Sequence, residues 1–173
     1  EGPLDMRINP ANPLTAYNII NHWPYEQIEH LVRVCGEPRS NRIARAIVDK
    51  RTVKPLETTA ELRDLIERVI PFRGEKIHPA TKTFLALRVA VNSEFDNLTR
   101  GIQKAMPFLA KGARMGIITF HSLEDRIVKE TFKLMADMGG WKMVTRKPVA
   151  PSEAEVLGNK RSRSAKLRVI EKA

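Results

Sequence analysis

The sequence predicts an α/β chain in two parts, an all-helical stretch followed by the closing strands of a doubly wound sheet. Three observations carry this. Apolar residues recur at helical spacing as far as Phe108. The run from Arg114 to Phe120 then turns strand-like and is followed at once by a helix-start box at Ser122 to Asp125. Finally, Trp141 to Lys147 and Lys166 to Lys172 alternate as strands do. Strand, helix and two further strands is how such a sheet closes, its last strand running antiparallel. A cofactor cleft needs about four parallel strands, so the sheet is expected to be incomplete in this chain.

The elements follow in order. Gly2 to Arg7 and the cluster Asn9-Pro10-Ala11-Asn12-Pro13 read as loop, after which Thr15 can cap a short helix over Ala16 to Asn21. Pro24 suits the first turn of a second helix with Ile28, Leu31 and Val32 on one face. A third, from Ser40 to Lys50, turns Ile43, Ala46 and Ile47 inward and leaves Arg39, Arg42, Arg45 and Arg51 for phosphate. Thr58 with Glu61 three residues on is a capping box, and Leu62, Leu65, Ile66 and Val69 carry that helix to Pro71. A long fifth helix is expected from Ala80, capped by Thr81, to Phe108. Within the strand-helix unit Ser122 is the expected N-cap.

Composition narrows the class. With 42% hydrophobic residues the chain is ordinary globular protein, and its apolar runs are too short for a membrane span. The expectation is a soluble, cytoplasmic protein. Cys35 lies among Leu31, Val32 and Val34 and reads as a buried small hydrophobe. His22 and His30 lack ligands at metal spacing, so no metal site is expected. Net charge is +10 and uneven: residues 1–32 hold one arginine against four acids, which leaves +13 on residues 33–173. A polyanionic partner follows. A DNA-binding helix-turn-helix in residues 24–51 is disfavoured by Gly36 and Pro38.

Four blocks in order carry a resemblance: Gly2-Pro3-Leu4-Asp5-Met6-Arg7, His78-Pro79-Ala80-Thr81-Lys82-Thr83-Phe84, the ten residues Phe120-His121-Ser122-Leu123-Glu124-Asp125-Arg126-Ile127-Val128-Lys129, and Arg161-Ser162-Arg163-Ser164-Ala165-Lys166-Leu167-Arg168. On these the chain resembles the bacterial family of 16S rRNA cytosine-N4 methyltransferases, the MraW family. Asn9, Leu85 and Lys160 depart from the family pattern outside the block centres. The resemblance implies a class I (Rossmann-like) sheet dependent on S-adenosylmethionine (SAM), with an inserted all-helical domain. Residues 1–13 would leave the methyltransferase core, 14–76 form the substrate-recognition insert, and 77–173 return as the C-terminal part of the core. The implied reaction is methylation of a decoding-centre cytidine, and the implied partner is 16S rRNA or the small ribosomal subunit. The family's Gly-rich cofactor loop precedes the first block, so no cofactor-binding residue is transferred and the SAM pocket is expected upstream of residue 1.

The chemistry the resemblance implies is demanding, because the N4 lone pair is delocalised into the ring and the amine is a poor nucleophile. The site must accept the N4 hydrogens and hold the extruded base on an aromatic face. Phe120 is the candidate base platform, and His121 and Ser122 are candidates to hydrogen-bond base or ribose. Structural readings stand beside them: Ser122 as helix cap, His121 as tie to a loop, Glu124 and Asp125 as first-turn charges. Asp5 is a further acceptor candidate, or a tie to Arg7. Arg126, Lys129, Arg161, Arg163 and Lys166 are candidate phosphate contacts, the alternation of arginine and small hydroxyl residues being suited to successive phosphates. A non-enzymatic RNA-binding module derived from the same fold is the competing reading.

Overall fold

A computed structural model of the chain describes residues 1–72 and 77–173. Within these lie eight helices and one three-stranded sheet, and none of the helices is long and apolar enough to cross a membrane. Compactness divides the chain after Glu94 into a helical unit and a sheet unit. The expected boundary at Lys76 lies outside the described residues.

The helical unit holds α1 (Ala16–His22), α2 (Tyr25–Val34), α3 (Ser40–Val53), α4 (Thr59–Val69) and α5 (Thr81–Asn92). The predicted caps of α1 and α4 form. The Thr15 and Thr58 side chains accept from the amides of Asn18 and Glu61, whose side chains reach back to the cap amides. Ile19, Ile20, Ile28, Ile43, Ile47, Leu62, Ile66 and Leu87 fill the core. In α3 Ala44, not Ala46, completes the buried stripe. Side chains also satisfy backbone at helix ends: Arg51 donates to the Ile20 carbonyl at 2.7 Å, and Asn21 both donates to and accepts from Leu56. The opening block is pinned here, with the Leu4 amide on the Glu57 carbonyl and the Ala16 and Tyr17 amides on the carbonyls of Asp5 and Leu4. Cys35 is buried, which pushes its thiol up to about 11, with the Glu94 charge adding to the shift.

The long fifth helix is not continuous. Ser93 takes a left-handed conformation (φ 49°), so α5 stops at Asn92 and α6 (Glu94–Ala105) starts anew. The apolar stripe runs through the break, and periodicity alone did not reveal it. Asn92 marks the place: its side chain donates to the Met6 carbonyl and accepts from the Ile8 amide, fixing the opening block on the end of α5. Thr81 is the first helical residue, and Ala80 occupies the cap.

The sheet unit contains β1 (Arg114–Thr119), α7 (Ser122–Asp137), β2 (Trp141–Met143), α8 (Glu153–Gly158), a 3₁₀ turn (Lys160–Ser164) and β3 (Lys166–Lys172). The strand order is β1-β3-β2, with β3 antiparallel to both neighbours. The antiparallel last strand is as expected, but β2 is shorter than the alternation suggested: after Met143 the Val144 and Thr145 amides both donate to the Val169 carbonyl, and the chain meets β3 again only at an isolated antiparallel bridge between Val149 and Leu167. Ile102, Val128, Phe132, Met135 and Ile170 form the core, with Met115, Ile117 and Trp141 against it. Ile118 points the other way and is exposed.

Candidate functional site

Register brings the third and fourth sequence blocks together. Thr119 pairs with Lys166, so the residues that follow β1 and those that precede β3 share one end of the sheet. This is the carboxyl end of β1, where open α/β sheets place ligands.

Phe120, the first residue beyond the strand, is 54% exposed. Its amide and that of His121 donate to Glu124 Oε2 at 2.9 and 3.3 Å, and the Glu124 amide donates to His121 Nδ1 at 3.3 Å. His121 is therefore the N-cap of α7, and Ser122 is its exposed first residue rather than the cap. The box shifts by one because glutamate at the third helical position reaches the cap amide, while Asp125 is drawn elsewhere. With Nδ1 accepting, a neutral ring carries its proton on Nε2. That atom is shut off from water and has no hydrogen-bond partner among the described residues, though Glu124 Oε1 lies 3.2 Å away. The Phe95 ring packs beside the imidazole at 5.9 Å.

Asp125 is more than a first-turn charge. It is buried and accepts from Arg168 Nε at 2.6 Å and Nη2 at 3.2 Å, with Lys166 Nζ at 3.3 Å. The Arg168 hydrogen bonds, then those from Lys166, hold its carboxyl below the usual range. This pair locks the first turn of α7 onto β3. The cost is that Lys166, read as a phosphate contact, is committed to a carboxylate.

The Arg-Ser segment is a 3₁₀ turn, with Asn159 as its cap. Ser162 is buried, its hydroxyl donating to the Asn159 carbonyl, so it does not alternate with the arginines on one surface. Arg161 and Arg163 are exposed, as are Arg126 and Lys129 on α7, and none of the four makes an ion pair among the described residues.

In the helical unit Asp5 is held by Arg7 on both oxygens, at 2.7 and 2.8 Å, and this hydrogen bonding brings its carboxyl down to about 2. Arg7 also donates to the carbonyls of Pro10 and Asn12. The tie is thus what the structure displays. Of the α3 arginines, Arg39 pairs with buried Glu37, Arg51 holds the end of α1, Arg45 lies over the Tyr25 ring, and Arg42 is exposed. The Asp125–Arg168 pair and Tyr25 were missed from sequence. No local pattern signals a bond spanning 43 residues, and Tyr25 belongs to no motif in the sequence.

Among the described residues, the strand-to-helix turn after β1 does not make a SAM cradle. Such a cradle needs open backbone amides on a Gly-rich strand-to-helix turn. The turn here carries no glycine, and its first two amides are already taken by Glu124.

Comparison with known proteins places these blocks. The model of the MraW methylase family matches residues 1–173. A ribosomal RNA small subunit methyltransferase H of Coprothermobacter proteolyticus is 47% identical over 99% of this chain and 57% of its own length. One from Synechococcus elongatus is also 47% identical, over 99% and 57%. One from Caldicellulosiruptor bescii is 44% identical, over 99% and 61%. The chain thus spans roughly three fifths of the length of these relatives. A family model matched from the first residue to the last, over the same blocks that build the turn and lock it to β3, means that the chain belongs to the MraW methylase family.

Proposed function

We propose that this chain is the substrate-side portion of an enzyme that transfers a methyl group from SAM to the N4 amine of a cytidine in the decoding centre of 16S rRNA. The supporting observation is the shared sheet end: the register of Thr119 with Lys166 puts exposed Phe120 and Ser122 at the same end as exposed Arg161 and Arg163. In this reading Phe120 offers a face for the base and Ser122 a hydroxyl for base or ribose. Arg161, Arg163, Arg126 and Lys129 meet phosphates. His121, spent as a cap and with its Nε2 shut off from water, acts as a positioning residue that aims its neighbours, and Asp5 acts through the loop it braces. Lys166 contributes positive charge while bonded to Asp125. Residues 14–76 serve as the recognition insert, between 1–13 and 77–173 of the methyltransferase domain. The donor pocket belongs upstream of residue 1.

The test is calorimetry with SAM, together with methylation of small-subunit rRNA, on this chain and on a form extended upstream with the corresponding part of a relative. The expected result is donor binding and N4-methylcytidine formation by the extended form alone. Donor binding by the present chain would overturn the placement of the pocket. RNA binding with no methyl transfer from either form would favour a non-enzymatic RNA-binding module.

A further inference from the structure

The helical unit has a groove of about 480 Å³ between the start of α2, one face of α3 and the end of α4, lined by Tyr25, Asn41, Arg42, Arg45, Asp49 and Val69 among others. Its size falls in the range of about 300–1,000 Å³ that ligand sites occupy. The Arg45 guanidinium lies over the Tyr25 ring, 5.0 Å from its centroid. Arg45 is exposed, so this stack presents a second flat, cationic face to whatever enters. Arg42 and Asp49, near one turn to either side of Arg45, are also exposed, and neither makes an ion pair among the described residues.

We infer that the groove binds one unpaired nucleotide of an RNA strand, the base stacked on Arg45 over Tyr25, the phosphate on Arg42 and an exocyclic amine of the base on the Asp49 carboxylate. The inference rests on the reading that the partner is RNA, and it adds a second contact region on the other unit. The local charge suits a polyanion: residues 39–54 carry six cations and a single acid. That acid sits in the groove, where it would repel an acidic peptide but accept hydrogen bonds from a base amine. A planar guanidinium backed by an aromatic ring recognises the face of a base, and such faces are hidden in a duplex and open in single strands.

The test is fluorescence anisotropy of this chain with a short unstructured RNA, free and annealed to its complement, across a range of salt. The expected result is a preference for the single strand that Tyr25→Ala and Arg45→Lys each reduce, with a loss of affinity of about tenfold. Arg42→Gln should lower the slope of log affinity against log salt by about 0.7, as for one phosphate on a single strand. Arg45→Lys keeps charge and helix propensity, so it reports on the stack even if Tyr25→Ala fails to fold. Single-strand binding by Arg45→Lys equal to that of the parent overturns the inference, as does displacement of the RNA by poly-glutamate at equal charge. A drop in affinity on Arg161→Ala with Arg163→Ala, beside unaltered binding by the groove variants, would sink the groove while sparing the functional reading. Absence of RNA binding at low salt would sink both.

Discussion

The helical and sheet units are stabilised differently. Among the described residues, nineteen of the twenty-four buried apolar side chains lie in residues 1–94, whereas the sheet unit has five. Conversely, eight of the thirteen large apolar side chains that are exposed belong to the sheet unit, Ile118, Phe120 and Val149 among them. Small cores are marginal because the area they bury barely offsets chain entropy. The helical unit is thus held by its core, while the sheet unit leans on one buried ion pair and leaves one face of its sheet with little cover.

The strongest way to break this contrast is Asp125→Ala. It strands Arg168 in the interior, and removing one partner of a buried pair costs about 3–5 kcal/mol. In a Trp23→Phe background, urea denaturation followed by Trp141 fluorescence should show the sheet unit melting first; a cost below about 1 kcal/mol would mean the apolar core suffices. The pair also sets a pH dependence. Its cations hold the Asp125 carboxyl below the ordinary value, so its contribution is fully present above about pH 4 and drains away as pH falls through the lowered folded value. Acid melting of the sheet unit should track this, and Asp125→Asn should flatten it.

Ile66→Ala in the helical unit should cost about 2–5 kcal/mol through the cavity it leaves, yet calorimetry should still find that unit folded at room temperature. Unfolding of that unit alone would show its larger core to be no reserve. Thr58→Ala removes a cap and should cost about 1 kcal/mol, read by the same melt. The smallest effect is expected at Asp5: the Arg7 tie is only half-buried, and the Arg7 Nε–H resonance should keep its bonded shift down to about pH 2, where the carboxyl protonates.

What could be read from sequence was local. Thr15 and Thr58 announced their helices through residues three positions away, and Lys166–Lys172 matched its alternation end to end. The stop at Ser93 was invisible because the apolar stripe carries on through it, and what fixes Asn92 there is bonding to residues Met6 and Ile8, far off in sequence. Of the candidate site, the turn at Phe120 and the exposure of Arg161 and Arg163 followed from the motif residues. The choice of His121 over Ser122 as cap did not, because it depends on Asp125 being drawn to Arg168 across 43 positions. Local pattern says which residues have something to offer, and tertiary pairing decides which remain free to offer it.

One consequence of the strand order concerns synthesis. β3 lies between β1 and β2 yet is translated after both. Until residues 166–172 leave the ribosome, β1 and β2 have no middle strand to bind, and their backbone groups and apolar side chains stand open to other chains. The helical unit, complete by Glu94, can fold well before then. During that interval a folded helical unit would be followed by an unclosed sheet, the state in which chaperones would matter most to this protein.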